Sequence, residues 1–163
     1  NGQRAIRGPV GESQIVDLGL AEGAVLAGEG SGGVAVLPHS VAYDGLLALG
    51  LVLEEMAVSG RTAAELASSL PALHMRKREL PCPPNLVYKV IERFRRRHAH
   101  DNPDCTDGVR LAWGDAWLHV RASGTEPLLR IIAEAPDEAR ADALVEEAAV
   151  FARRVTSLLI ADT

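Results

Sequence analysis

Three segments of the chain place apolar residues at the three- and four-residue spacing of an amphipathic helix. The first, Asp44 to Ala57, is apolar on more than one side, so we expect a largely buried helix there. Its apolar positions are Leu46, Leu47, Leu49, Leu51, Leu53 and Met56. The second stripe consists of Leu86, Val87, Val90, Ile91 and Phe94, and the third of Ala141, Leu144, Val145, Ala148, Phe151, Ala152 and Val155.

Two shorter helices are predicted from their boundary residues. Residues Glu12 to Glu22 are closed by Gly23, a residue common just past a helix end. Thr62 and Glu65 have the T-x-x-E spacing of a capping box, which predicts the start of another helix. That helix should end before Pro71, because the residue ahead of a proline avoids helical geometry.

Strands are predicted where short apolar runs or alternating patterns occur. In the second half, "VRLAW" and "WLHVR" alternate and are separated by Gly114-Asp115, a two-residue hairpin signal. "LLRIIAEA" and the polar-faced "ALHMRKREL" are two further strands. In the first half, "AVLAGE" and "VAVLP" are short apolar strands on either side of a glycine-rich loop.

The order of these elements predicts the fold class. The second half runs strand, helix, three strands, helix, which suits an antiparallel sheet with two helices on one face, an α+β fold. The first half has too few elements for an independent domain, and we interpret it as part of a larger α/β domain. We place the boundary between residues 1–70 and residues 71–163.

Charge and composition exclude several classes of function. The 163 residues carry 22 acidic and 17 basic side chains, a formal net charge of −5, which disfavours general binding to nucleic acid. The basic run "RFRRRHAH" is better interpreted as a solvated helix end. Two cysteines without C-x-x-C spacing indicate a reduced, cytoplasmic protein without a metal knuckle. The chain lacks 18 uninterrupted apolar residues, so we expect no membrane span.

The loop "GEGSGG", Gly28 to Gly33, has the glycine density of a phosphate loop but not its context. It lacks the G-x-x-x-x-G-K-[ST] pattern, and Glu29 would repel a phosphate. A carboxylate beside the Ser31 hydroxyl suits a neutral polyol better, because its two oxygens accept bonds from neighbouring sugar hydroxyls. A tight turn between strands explains the loop equally well.

The loop "RASGTEP", Arg121 to Pro127, carries more donors than a turn needs. Arg121 offers a planar fork matched to phosphate oxygens, and Arg130 could return from the next strand. Ser123 and Thr125 add hydroxyl donors, and Gly124 lets backbone N–H groups approach an anion. A hairpin loop with a solvated arginine is the alternative. Four suitable donors within five residues favour an anion site, and we predict that the loop holds a phosphate.

These two loops, in this order, resemble the α-D-phosphohexomutase superfamily of phosphomannomutases, phosphoglucomutases and phosphoglucosamine mutases. That family has a G-E-x-S/N-G sugar loop in its third domain and an R-x-S-G/N-T-E/T-P phosphate loop in its fourth. "VGE", "YDGLLALGLVLEEMA" and "TDGVRLAWGDAWLHVRASGTEP" are further matches. The resemblance implies part of an α/β third domain followed by a fourth domain of the TATA-binding-protein type.

The resemblance also implies roles for individual residues. Glu29 and Ser31 would contact sugar hydroxyls. Four residues would grip the phosphate that is not being transferred, with Arg130 as an additional candidate: Arg121, Ser123, Gly124 and Thr125. The family interconverts hexose 1-phosphates and 6-phosphates through a phosphoserine and a bisphosphorylated sugar intermediate. It uses Mg²⁺ held by a D-G-D-x-D-R loop, and hexose 1,6-bisphosphate is the intermediate and activator.

The sequence departs from the family pattern in its catalytic motifs. It has no T-A-S-H-N-type serine loop and no D-G-D loop, both of which belong to the family's first two domains. Gly33 stands where some members have histidine. We therefore expect the C-terminal, substrate-binding portion of a mutase, inactive alone and completed by N-terminal domains of the same protein. A non-catalytic sugar-phosphate-binding module is the alternative, and the preferred hexose (mannose, glucose or glucosamine) is left open.

Overall fold

The computed structural model describes residues 4–161, which divide between Pro71 and Ala72 into two compact units. The first unit contains a pair of short antiparallel strands and three helices. Its elements are α1 (Glu12–Ala21), β1 (Leu26–Gly28), β2 (Val34–Val36), α2 (Gly45–Ser59) and α3 (Ala63–Ser68). The strands pair in the register Leu26 with Val36, so residues 29–33 form the hairpin loop. A small core of Val16, Ala27, Ala35 and Leu37 lies between α1 and this hairpin.

The helix boundaries of the first unit follow from local capping. The Asp44 carboxylate accepts hydrogen bonds from the amides of Leu46 and Leu47 and so starts α2. The predicted capping box of α3 is confirmed, because the Thr62 hydroxyl accepts from the Glu65 amide and the Glu65 carboxylate from the Thr62 amide. These contacts satisfy amides that a helix start leaves without intrahelical partners.

The expectation of a largely buried α2 is wrong. No residue of Gly45–Ser59, all of which the structure describes, is buried, and Leu46 is 84% exposed. The main neighbours of α2 in its own unit are β2 and α3, which leave most of its apolar surface uncovered. Apolar periodicity shows which side chains favour burial, whereas burial depends on what packs against them. Among residues 4–161, no helix is both long and apolar enough to cross a lipid bilayer.

The second unit is an antiparallel sheet with two helices on one face, which confirms the predicted fold class. Its elements are β3 (His74–Pro81), α4 (Pro84–Arg97), β4 (Val109–Trp113), β5 (Ala116–Ala122), β6 (Leu128–Ala135) and α5 (Glu138–Ala161). The strand order is β3-β6-β5-β4, and every neighbouring pair is antiparallel. The hairpin loop between β5 and β6 is the predicted phosphate loop.

Alternation along the central strands separates the core from the other face of the sheet. Buried and partly buried residues alternate strictly along β6 from Leu128 to Ala135. The inward side chains of the sheet pack with the predicted stripes of α4 and α5 in one core cluster. Phe94 of α4 is 2% exposed and meets Phe151 of α5 edge-to-face, with ring centroids 5.6 Å apart. We call the opposite side, away from α4 and α5, the outer face.

The basic end of α4 lies on the surface and is paired with acidic residues. Arg95 and Arg96 each donate to the Glu92 carboxylate at 2.7 Å, and Arg97 donates to Glu147 at 3.3 Å. The hydrogen bonds from Arg95 and then Arg96 lower the pKa of Glu92 to about 2. The run therefore stabilises the helix surface locally.

We expect Phe94→Ala to destabilise the second unit by about 3–5 kcal/mol, because it removes a fully buried aromatic ring and leaves a cavity. Urea unfolding followed by the fluorescence of Trp113 and Trp117 measures the change. Tyr88→Ala is the matched control, because Tyr88 lies on the same helix and is 74% exposed. An equal loss of stability in both variants would contradict the assigned core.

The low pKa of Glu92 predicts a contribution to stability in acid. A carboxylate whose pKa is depressed in the folded state stabilises fully above its unfolded pKa, here 4.5, and loses that contribution as the pH falls to about 2. We expect Glu92→Gln to flatten the pH dependence of the unfolding free energy between these values. The Glu92 carboxyl resonance, followed by NMR, should titrate near pH 2. A midpoint near 4.5 would show that the arginine contacts do not persist in solution.

Candidate functional site

The predicted phosphate loop is fixed at both ends and exposed at its tip. The Ser123 amide donates to the Leu128 carbonyl at 3.0 Å, which closes the hairpin. The Cys82 amide donates to the Pro127 carbonyl at 3.0 Å, which ties the loop to the end of β3. Gly124 and Thr125 at the tip are exposed. Within the tip, the Thr125 amide donates to the Ser123 hydroxyl at 3.4 Å. Fixed ends and an exposed tip suit a loop that contacts a ligand through its hydroxyl groups.

Arg121 and Arg130 lie directly opposite each other in the register of β5 and β6. Their chain neighbours Val120, Leu129 and Ile131 are buried in the core, so alternation places both arginines on the outer face. The Arg121 side chain is 12% exposed and that of Arg130 34%. Like charges on directly opposed residues are destabilising. The pair concentrates two positive charges beside one loop.

Acidic residues flank this arginine pair on both sides. The Asp107 carboxylate is 3.9 Å from Nη1 of Arg121, and the Glu79 carboxylate is 3.3 Å from Nε of Arg130. Glu126, in the loop itself, is 3.5 Å from Nη2 of Arg130. Across the outer face, the charged residues therefore follow the order Asp107, Arg121, Arg130, Glu79, with the two cations in the middle.

Both arginines have hydrogen-bonding capacity left for a ligand. Arg121 donates from Nη1 to the Ala122 carbonyl at 3.1 Å. Within residues 4–161, however, the Nε atoms of Arg121 and Arg130 are buried and have no hydrogen-bond partner, since the contact between Arg130 and Glu79 has ion-pair distance without hydrogen-bond geometry. A buried N–H without an acceptor is costly. Each arginine of the pair therefore has one donor that nothing within residues 4–161 accepts from.

The structure brings five of the seven predicted site residues to one end of the β5–β6 hairpin. They are Arg121, Ser123, Gly124, Thr125 and Arg130. The other two, Glu29 and Ser31, lie in the β1–β2 hairpin loop of the first unit. There the Ser31 hydroxyl donates to the Glu29 carboxylate at 3.0 Å, and the Glu29 amide donates to the Gly33 carbonyl at 3.1 Å.

Tyr43 is a neighbour of the glycine-rich loop that the sequence did not reveal as such. A Cβ atom on Gly33 would lie 2.0 Å from the Tyr43 ring, so the ring occupies the space where a side chain would project. Burial, followed by the negative charges of Glu29 and Glu12, raises the pKa of Tyr43. In the sequence, Tyr43 belongs to the "YDG" that directly precedes α2, where the apolar pattern predicts only the helix. Gly33 therefore also has a packing reason to be glycine.

Sequence models of the phosphoglucomutase/phosphomannomutase family match the chain twice, with alpha/beta/alpha domain III over residues 1–74 and the C-terminal domain over residues 90–150. A probable phosphoglucosamine mutase from Methanopyrus kandleri is 34% identical over 94% of this chain and 34% of its own length. A phosphoglucomutase/phosphomannomutase from Thermococcus kodakarensis is 32% identical over 90% of this chain and 32% of its own length.

A solved structure supports the same assignment. The phosphoglucomutase/phosphomannomutase family protein from Burkholderia thailandensis superposes with a TM-score of 0.69 at 28% identity, over 90% of this chain and 32% of that one. The chain therefore belongs to the α-D-phosphohexomutase superfamily, in which it corresponds to the third and C-terminal domains. It spans about a third of the length of the curated relatives it matches.

We expect Gly33→Ala to disturb the glycine-rich loop, because the added methyl group must displace the Tyr43 ring. Overpacking of this kind costs roughly 1–3 kcal/mol. Gly30→Ala is the matched control in the same loop, since a Cβ there has no atom within 4 Å. Thermal unfolding and the NMR resonances of the Tyr43 ring measure both variants. Identical behaviour of the two would show that the ring does not pack on Gly33.

Proposed function

We propose that this chain provides the sugar-contacting and phosphate-binding loops of a phosphohexose mutase, an intramolecular phosphotransferase that interconverts hexose 1-phosphates and 6-phosphates. The observation that carries the proposal is the pair of opposed arginines, Arg121 and Arg130, beside an exposed loop with two hydroxyl residues, Ser123 and Thr125. The relatives named above, a probable phosphoglucosamine mutase and a phosphoglucomutase/phosphomannomutase, support the same substrate class.

In this proposal, the β5–β6 loop holds the phosphate that is not being transferred. The Arg121 guanidinium gives two parallel, charge-assisted hydrogen bonds to the phosphate, and Arg130 adds positive charge from the opposite strand. Ser123 and Thr125 donate from their hydroxyls, and the missing side chain of Gly124 lets the loop backbone approach the oxygens. Glu79, Glu126 and Asp107 limit the net charge of the site, which favours a multiply hydrogen-bonded anion over any diffuse negative surface.

The β1–β2 loop, in the same proposal, binds the sugar. The Glu29 carboxylate accepts from neighbouring sugar hydroxyls, and Ser31, which already contacts that carboxylate, donates or accepts beside it. A carboxylate is suited to the neutral part of the substrate because it repels the phosphate and accepts strong bonds from hydroxyls. This division assigns contacts with uncharged sugar hydroxyls to one loop and contacts with phosphate to the other.

The chemical step requires groups other than those of this chain. Among residues 4–161, no cluster of three or more His, Cys, Asp or Glu side chains could hold a metal ion, so these residues do not fit a Mg²⁺ site. We propose that a phosphoserine and Mg²⁺ are supplied by the family's N-terminal domains, which would be the partner of this chain. The residues here would bind and orient the substrate, in the cytoplasm.

The reaction would use the phosphate loop twice. A hexose 1,6-bisphosphate intermediate would carry two phosphates, one of them received from the phosphoserine. It would have to turn around before the other phosphate is transferred back to the serine. Each phosphate would then occupy the Arg121 site once, while the other faces the reacting group. The loop would therefore have to accept a phosphate attached at either carbon. For this reason, its donors would contact the phosphate oxygens and not the adjoining sugar.

We expect Arg121→Lys to weaken binding of glucose 6-phosphate by roughly ten- to a hundredfold, although the charge is kept. An ammonium acts as a point charge, and losing one charge-assisted bond costs about 1.5–3 kcal/mol. Shifts of the Ser123, Gly124 and Thr125 amide resonances on titration measure the affinity.

Arg96→Lys is the matched control for that experiment, because Arg96 is 73% exposed on α4 and pairs only locally with Glu92. It should bind glucose 6-phosphate like the wild type. Equal affinity of Arg121→Lys and the wild type, or shifts at amides outside the loop only, would contradict the proposal that this loop holds the phosphate.

A further inference from the structure

One chain segment packs against Arg121 from the side opposite Arg130. It is the corner Asp104–Gly108, which precedes β4 and which we call the corner segment. Asp104 and Arg110 exchange backbone hydrogen bonds of 2.9 and 2.8 Å, so the segment is closed into a loop. Inside it, the Thr106 amide and hydroxyl both donate to the Asp104 carboxylate, at 3.0 and 2.7 Å. These hydrogen bonds lower the pKa of Asp104.

The corner segment lies directly on the backbone of β5. Gly108 has a φ of 72°, and a Cβ atom there would lie 2.3 Å from the Val120 carbonyl oxygen and 2.8 Å from Cα of Arg121. Only glycine allows this approach without strain. A second contact comes from His119, whose Nε2 donates to the Asp107 carbonyl oxygen. The backbone of Asp107 is therefore held from both sides, by Gly108 against β5 and by His119.

This anchoring directs the Asp107 side chain at Arg121. Its carboxylate is 3.9 Å from Nη1, and both side chains are mostly shielded from water, at 27% and 12% exposure. A shielded ion pair is screened less by solvent and salt than an exposed one. On its other side, Arg121 faces the like charge of Arg130. Attraction from one side and repulsion from the other together define the position of the guanidinium.

We infer that Asp107 is a positioning residue, which holds the Arg121 guanidinium in place for a ligand phosphate through the fixed geometry of the corner segment. The inference rests on the proposed function, because it assigns Arg121 the phosphate. Asp107 itself does not contact the phosphate, since two anions would repel each other. Its contribution is to reduce the rotational freedom that Arg121 would otherwise lose on binding.

The sign of the effect separates positioning from simple charge. Asp107→Asn removes a negative charge near the site, so electrostatics alone predicts tighter phosphate binding. Positioning predicts weaker binding, by roughly two- to fivefold, the range that corresponds to a single ion pair of this kind. The probe is inorganic phosphate, titrated into the whole 163-residue chain and followed by amide chemical shifts of the loop.

A second readout does not depend on binding. In the wild type, the Nε–H group of Arg121 should give a sharp NMR signal with the relaxation of an ordered side chain. In Asp107→Asn this signal should show increased motion or exchange broadening, and Asp107→Glu should restore part of the order. Asp115→Asn is the matched control, because Asp115 forms an exposed 2.8 Å ion pair with Arg140 at the other end of β5. Its Arg121 signal should match the wild type.

Each outcome decides between the alternatives. Weaker phosphate binding and a mobile Arg121 in Asp107→Asn, at an unchanged unfolding temperature, support the inference. An ordered Arg121 signal in Asp107→Asn, or phosphate affinity equal to or above that of the wild type, overturns it. If the wild type binds neither inorganic phosphate nor glucose 6-phosphate, the proposed function fails, and the Arg121 signal still decides whether Asp107 orders that side chain.

Discussion

The candidate phosphate site depends on one constraint, two like charges that are held on adjacent strands. Arg121 and Arg130 face each other in the β5–β6 register, and the arrangement persists because each has an acidic neighbour on its far side. The strands that carry them are the two central strands of the sheet, which cannot move apart without breaking the hydrogen bonds between them. The inward faces of the same strands are anchored by α4 and α5. A well-packed core on one face thus maintains an electrostatically unfavourable arrangement on the other.

The two candidate loops carry different polar groups but have the same local structure. Each is a hairpin loop between antiparallel strands, so its ends are fixed by strand pairing and only its tip is free. In the first, a carboxylate and a hydroxyl contact each other; in the second, hydroxyls, a glycine and arginines lie together. Pre-arranged polar groups lose less conformational freedom on binding than mobile ones. The smaller loss of conformational entropy matters most for the sugar phosphate that we propose as the ligand, because its polar groups already bind water well and gain little from apolar contact.

Sequence patterns predicted the second unit better than the first. The stripes of α4 and α5 and the alternation of β4 to β6 each describe one buried face, and both faces meet within the chain. The apolar surface of α2 has the same kind of pattern but is exposed, because periodicity does not indicate whether a partner is present. The residues of the candidate sites also divide into those that the sequence predicts and those that it does not. Residues adjacent along the chain, such as Arg121 and Ser123, were found from the motif. Asp107 and Tyr43 were not, because their contacts depend on strand register and on close packing against Gly108 and Gly33.

Gly33 and Gly108 each make room for a neighbouring part of the protein, and we assign neither of them a contact with the ligand. Gly108 lets the corner segment touch β5 beside Arg121, and Gly33 leaves room for the Tyr43 ring beside the Glu29 loop. In each case the missing side chain brings an ionisable or polar residue close to one that we assign to the substrate. The Tyr43 hydroxyl is buried without a hydrogen-bond partner among residues 4–161, next to the charge of Glu29. Unsatisfied groups of this kind occur beside both loops and nowhere else in that part of the chain, since the remaining two are Arg121 Nε and Arg130 Nε. Unpaired polar capacity is costly for a fold, and within residues 4–161 it occurs only beside the two loops that we propose to contact the substrate.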